Sequence, residues 1–220
     1  MKKTLIGLFL GVQVVLYGII LVWTYGSAQA PDVRYPGVLL CTFASVLNAL
    51  FKRNREAFFL MMAMLFTAAA DFFLVHLDAH YALSIALFIV VQAFHFIRLR
   101  TVYRTHWKLS LGIRLLFMAA AVFVILAVLK IREPEVPLAV CYIFNLAANA
   151  FESAFAARKT KRFWLLFIGL LLFIGCDVSV GMNGMPEVFG LTQAAQRTAS
   201  ELIWIFYLPS QVLIVLSGLI

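Results

Sequence analysis

Charge is scarce in this chain of 220 residues. Only 13% of it is Asp, Glu, Lys or Arg, about half the share of a soluble domain. Cysteine is also rare. Cys41, Cys141 and Cys176 each fall inside an apolar block, which excludes a disulfide framework and reads as buried thiols packing as small apolar groups. No segment alternates apolar and polar residues, so a β-barrel is excluded. No stretch has the composition of a soluble domain or a disordered tail. The sequence contains no H-E-x-x-H, no G-x-S-x-G and no phosphate-binding loop.

Apolar residues are what remains. They make up 64% of the chain and come in long blocks separated by short charged stretches, the pattern of a polytopic helical membrane protein. We read a single integral membrane domain over 1–220, an all-α bundle of eight transmembrane helices at 4–25, 35–51, 57–75, 81–97, 111–129, 137–157, 163–181 and 199–219. The third and fourth spans, separated only by His76–His80, form a tight hairpin. The N-terminus ends its apolar run at Ala28-Gln29-Ala30, which resembles a secretory cleavage site. The run is longer than a signal h-region, however, and Pro31 follows directly, so we read a retained first span.

The net charge of +8 lies in small clusters between spans, where it sets topology rather than binding nucleic acid. One side carries thirteen basic residues: Lys2 and Lys3, Lys52, Arg53 and Arg55, Arg98, Arg100, Arg104 and Lys108, and Arg158, Lys159, Lys161 and Arg162. The other carries Arg34, Lys130, Arg132 and Arg197, with Asp32, Asp78, Glu133, Glu135 and Glu187. Arg114 sits just inside the fifth span and can snorkel to the first side. This bias predicts that both termini are cytoplasmic, in a cell membrane of the bacterial inner-membrane type.

Two ionisable residues stand out inside spans: Asp71 in FFLMMAMLFTAAADFFLV and Asp177 in FWLLFIGLLLFIGCDVSV. An ionisable group at membrane depth marks a functional site by default. Each lies 14 residues from the start of its span, ~21 Å along the helix. The two halves, 1–108 and 109–220, also read as parallel four-helix repeats related by an axis along the membrane normal. Cys41, Asn48 and Asp71 correspond to Cys141, Asn149 and Asp177, and Gln92 to Gln211.

Further polar residues inside spans are candidates to line the interior: Asn48, Gln92, His95, Asn145, Asn149, Glu152, Glu201, Tyr207 and Gln211. Asn145, Asn149, Glu152 and Ser153 recur at helical spacing and form one stripe. Polar groups are disfavoured in hydrocarbon, so the set faces inward around a wet cleft. The bland alternative is that Asn, Gln and Tyr merely join helices by hydrogen bonds, Gln13 and Tyr17 among them. His76-x-Asp78-x-His80 offers three ligands on one short loop with no clear fourth, a weak metal pattern.

The block Ala70-Asp71-Phe72-Phe73-Leu74, followed by Tyr81, Phe88, Gln92 and His95, resembles the third and fourth spans of the YhhN-like lysoplasmalogenase membrane proteins. Gly169–Asp177 is similar to that family's seventh-span G-x-x-L-F-x-x-S-D. Tyr207-Leu208-Pro209-Ser210-Gln211-Val212-Leu213-Ile214 is similar to its closing Tyr-x-x-x-Gln-x-Leu-Ile. The chain departs from the pattern at Ala70 for glycine, Gln92 for histidine, His95 for tyrosine and Cys176 for serine. The resemblance implies hydrolysis of the vinyl ether bond of lysoplasmalogens, with a membrane lipid or lysophospholipid as substrate and no metal or organic cofactor. Asp71 and Asp177 would be the catalytic pair, one as general acid and the other stabilising the cation or positioning water. Asn48, Gln92, His95, Asn145, Asn149, Tyr207 and Gln211 would bind substrate. The same residues would equally serve a transporter of a small solute or lipid, or a lipid-binding relative without catalysis. The sequence leaves the oligomeric state open.

Overall fold

A computed structural model describes residues 3–25, 34–77, 79–103, 106–184 and 190–220. Within them lie eight helices: α1 Lys3–Tyr25, α2 Arg34–Lys52, α3 Arg55–Asp71, α4 Tyr81–Val102, α5 Trp107–Phe123, α6 Glu135–Lys159, α7 Phe163–Gly184 and α8 Gln193–Leu219. All eight are long and apolar enough to cross a membrane, α3 and α5 with their extensions below. The cleavage-site reading at Ala28–Ala30 and Pro31 lies outside the described residues. So do Lys2, Asp32, Asp78, Arg104 and Glu187, and with Asp78 the metal pattern of the hairpin loop.

Local chemistry sets the boundaries. Asn54 caps α3, its side-chain oxygen accepting from the Ala57 amide at 2.8 Å, and Thr192 caps α8 through the Ala195 amide. α3 and α5 each run on as one turn of wider π-helix, Phe72–His76 and Val124–Val128. The first begins directly after Asp71, and such turns occur often at functional sites. α4 extends five residues past the expected end of its span. Arg98, read from the sequence as a topology charge between spans, is therefore fully buried inside α4.

α7 and α8 approach most closely because Gly169 has no side chain. A Cβ there would meet the Ser210 carbonyl at 3.0 Å and the Ile214 side chain at 2.9 Å. α8 contains Pro209, which lacks the N–H that would bond the Ile205 carbonyl one turn back. The Tyr17 hydroxyl of α1 donates to that carbonyl at 3.1 Å. Within the first half, α1 packs on α2, α2 on α3 and α3 on α4; in the second, α5 packs on α6, α6 on α7 and α7 on α8. Across the halves, α4 packs on α6 and α2 on α8.

One end of the bundle gathers most of the basic residues. There Lys52, at the end of α2, donates to the Gly218 and Leu219 carbonyls of α8. Glu56 of α3 pairs with Arg98 at 3.3 Å and Arg162 at 2.5 Å. Glu152 of α6 pairs with Arg100 and Arg114 and accepts from Ser110.

Candidate active site

The two aspartates lie away from that basic end. Asp71 is the last residue of α3 before its π turn and is 1% exposed. Asp177 sits in α7, fourteen residues from its start, and is half-buried. Each receives a tyrosine hydroxyl. Tyr207 of α8 donates to Asp71 in a short hydrogen bond, and Tyr142 of α6 donates to Asp177 at 2.7 Å. Both tyrosines are buried.

An aromatic core joins the pairs. The Phe173 ring lies 5.6 Å from that of Tyr207 and 6.4 Å from that of Tyr142, edge-on to both. Phe88 of α4 closes the group, 5.6 Å from Tyr142 and 5.7 Å from Phe173. Phe173 therefore links the two carboxyl–phenol pairs, and the buried Cys176 directly precedes Asp177 in α7. Four helices thus bring two carboxyls, two phenols and a thiol into one apolar enclosure. Among the described residues no Lys, Arg or His pairs with either aspartate.

The remaining candidates fall along a polar column toward the basic end. The Asn149 amide donates to the Gln92 carbonyl at 2.8 Å and to its side-chain oxygen at 2.9 Å, locking α6 to α4. Gln211 lies one turn beyond Tyr207 and donates to the Ser210 hydroxyl at 3.3 Å. His95 is buried seven residues beyond Phe88, ~10 Å along α4, and its Nδ1 has no partner in the protein.

Asn145 turns toward α5, accepting from Arg114 at 3.2 Å and donating to the Met118 sulfur and the Cys141 carbonyl. Asn48 donates to the Gly218 carbonyl at 3.2 Å at the basic end. Neither contacts the aspartates. Glu152, expected to line the cleft, is held instead by Arg100 and Arg114.

Tyr142 is the residue the sequence reading passed over. It stands three residues before Asn145, near the line of the polar stripe on α6, but among apolar neighbours its ring reads as core. Phe173 likewise looks like one more apolar residue of α7.

Eight apolar helices around two tyrosine-bonded carboxyls, one buried and one half-buried, define a multi-pass membrane protein with an acid–phenol site in its interior. The chain belongs to the YhhN family, whose model matches residues 34–218. Neither a curated protein nor a solved structure matches it.

Proposed function

We propose that this protein hydrolyses the vinyl ether bond of lysoplasmalogen-type lysophospholipids, using Asp71 and Asp177 as an acid/base pair. The observation that carries the reading is the assembly of both aspartates, each on its own tyrosine, around Phe173. Membership of a family associated with lysoplasmalogenase supplies the substrate class.

Vinyl ether cleavage begins with protonation of the alkene carbon distant from oxygen. One aspartic acid delivers that proton, and the positive charge spreads over carbon and oxygen as an oxocarbenium ion. The other, as carboxylate, faces the cation and takes a proton from the water that attacks it. The resulting hemiacetal expels the glycerol oxygen, which leaves protonated, and a fatty aldehyde remains. Water is the only co-reactant. A carboxyl held away from water and beside a second carboxyl suits the acid role. The tyrosines hold the carboxyls in fixed rotamers. Phe88, Phe173 and Trp204 give the apolar chain a wall of ring faces, and Gln92, His95 and Gln211 lie where water or polar substrate atoms would be oriented.

The contact pattern supports the duplication of 1–108 in 109–220. Every neighbouring pair of helices within the first half has its counterpart in the second, and α4–α6 mirrors α8–α2, whereas among the described residues the packing of α1 and α3 on α8 has no close counterpart between α4 and either α5 or α7. Asn48 and Asn149, equated by sequence, each donate to a carbonyl of the helix across the halves, but at different levels of the bundle. The basic end faces the cytoplasm on the positive-inside rule, with the protein in the cell membrane.

The test is aldehyde release from a lysoplasmalogen by the purified protein, with D71N and D177N as controls. The expected result is release by the intact protein and loss of about 10²–10⁴-fold in either variant. No release by the intact protein, or equal release by the variants, overturns the mechanism. The polar column from Gln92 to Arg98 along α4 favours a second reading, transport of a small solute or lipid. Flux of a labelled solute or lipid across vesicles without aldehyde formation would establish it.

A further inference from the structure

A groove of about 790 Å³ opens at the basic end between the start of α3, the end of α4 and the start of α5. Arg55 and Arg100 line it, with Phe59, Ile97, Thr101 and Trp107 among its walls. α5 packs closely on α6 but not on α4. Long side chains bridge the gap instead. Arg100 reaches Ser110, and Arg100 and Arg114 both lie over the Phe96 ring, at 4.4 and 4.7 Å.

The charge around this groove does not balance. Arg98 and Arg114 are buried, Arg100 keeps only 12% of its side chain exposed, and Arg55 and Arg162 stand beside them. Among the described residues the ion-pair networks set two carboxylates, Glu56 and Glu152, against the four guanidiniums of Arg98, Arg100, Arg114 and Arg162, and Arg55 stands exposed at the groove's mouth. Arg100 Nε is buried without a partner in the protein. Excess positive charge held away from water calls for an anion. Glu56, already paired with Arg98 and Arg162, lines the groove too, with Asn54 and Thr101; its other walls are apolar and aromatic, with Trp107 placed as an interfacial anchor.

We propose that this groove binds one anionic phospholipid from the leaflet at the basic end, its phosphate on Arg100 and Arg55 and its chains in the gap between α4 and α5. Basic pockets between membrane helices take lipid phosphates in this way. The lipid is not the substrate in its reacting position. Arg55 precedes Asp71 by sixteen residues of α3, ~24 Å of helix. A lysophospholipid with its vinyl ether at the aspartates has its phosphate only a few bonds away. The bound lipid instead closes α5 onto the bundle.

The full chain is purified, delipidated in detergent and offered phosphatidylglycerol, phosphatidylcholine with the same acyl chains, or inorganic phosphate. Native mass spectrometry counts retained lipid and thermal melting reads stability. One phosphatidylglycerol is expected to be retained with a raised melting temperature, while phosphatidylcholine and phosphate do neither. R55Q, at an exposed residue, and R100Q should each weaken retention about fivefold. If R100Q does not fold, R55Q carries the test. Equal retention of both lipids, stabilisation by inorganic phosphate equal to the lipid's, or R55Q retention matching the intact protein overturns the proposal.

Discussion

The two ends of the bundle both bury carboxyl groups, and they partner them differently. At the basic end Glu56 and Glu152 each meet two arginines. At the other end Asp71 and Asp177 meet tyrosine hydroxyls and no cation among the described residues. A carboxylate between guanidiniums is matched in charge and geometry and serves to fasten helices. A carboxyl on a phenol has one hydrogen-bond donor and no counter-charge, which suits a group that exchanges a proton. The acid/base role proposed for the aspartates rests on this difference of partner rather than on depth of burial.

Removing the carboxylate charge at each end should break this comparison most sharply if it is wrong. D71N and D177N are expected to abolish aldehyde release while melting close to the intact protein. E56Q is expected to do the reverse. It leaves the buried Arg98 guanidinium without its carboxylate, a loss of about 3–5 kcal/mol for a broken buried pair, with activity per folded molecule retained. Melting curves and aldehyde assays on the three variants decide it. Loss of activity without loss of stability in E56Q would erase the distinction between the ends.

The tyrosines give a smaller effect. Y207F and Y142F each delete one hydroxyl that donates to an aspartate, and a hydrogen bond to a charged group contributes about 1.5–3 kcal/mol. The expected outcome is a fall in kcat of about ten- to a hundredfold, with KM little changed because the apolar walls remain. A change confined to KM would make the tyrosines substrate contacts instead of supports for the carboxyls.

How much of this was legible in the sequence follows from the same physics. The eight spans were, because each helix must be apolar along its length to cross a bilayer. Asp71, Asp177 and Tyr207 stood out as candidates, the aspartates because a charge inside such a run marks a site by default and Tyr207 through its place in the closing motif. Tyr142 did not, because nothing local separates a tyrosine that bonds a carboxyl from one that packs. Arg98 was misplaced because a basic residue at the edge of an apolar block reads as loop, whereas α4 continues and turns it inward onto Glu56 and Ser217. Asn48 and Asn149 looked like one kind of residue. Gly218 and Gln92, their partners from 170 and 57 residues away, set them at different levels of the bundle.

The smallest effect concerns how Tyr207 is aimed. It sits between Ile205, whose carbonyl Pro209 leaves without an intrahelical donor, and Pro209 itself. Tyr17 supplies the missing hydrogen bond from α1. Y17F should therefore cost about 1 kcal/mol of stability, the net value of one such bond. In P209A the new backbone N–H can reach Ile205, so the same Y17F change should then cost less, and a double-mutant cycle reads the difference as a coupling. P209A also relieves the clash of the proline ring with the turn that carries Tyr207, so its activity should fall further than its stability. Additive stabilities across the cycle would mean that Tyr17 merely packs, and full activity in P209A would mean that Pro209 does not help aim Tyr207 at the aspartate.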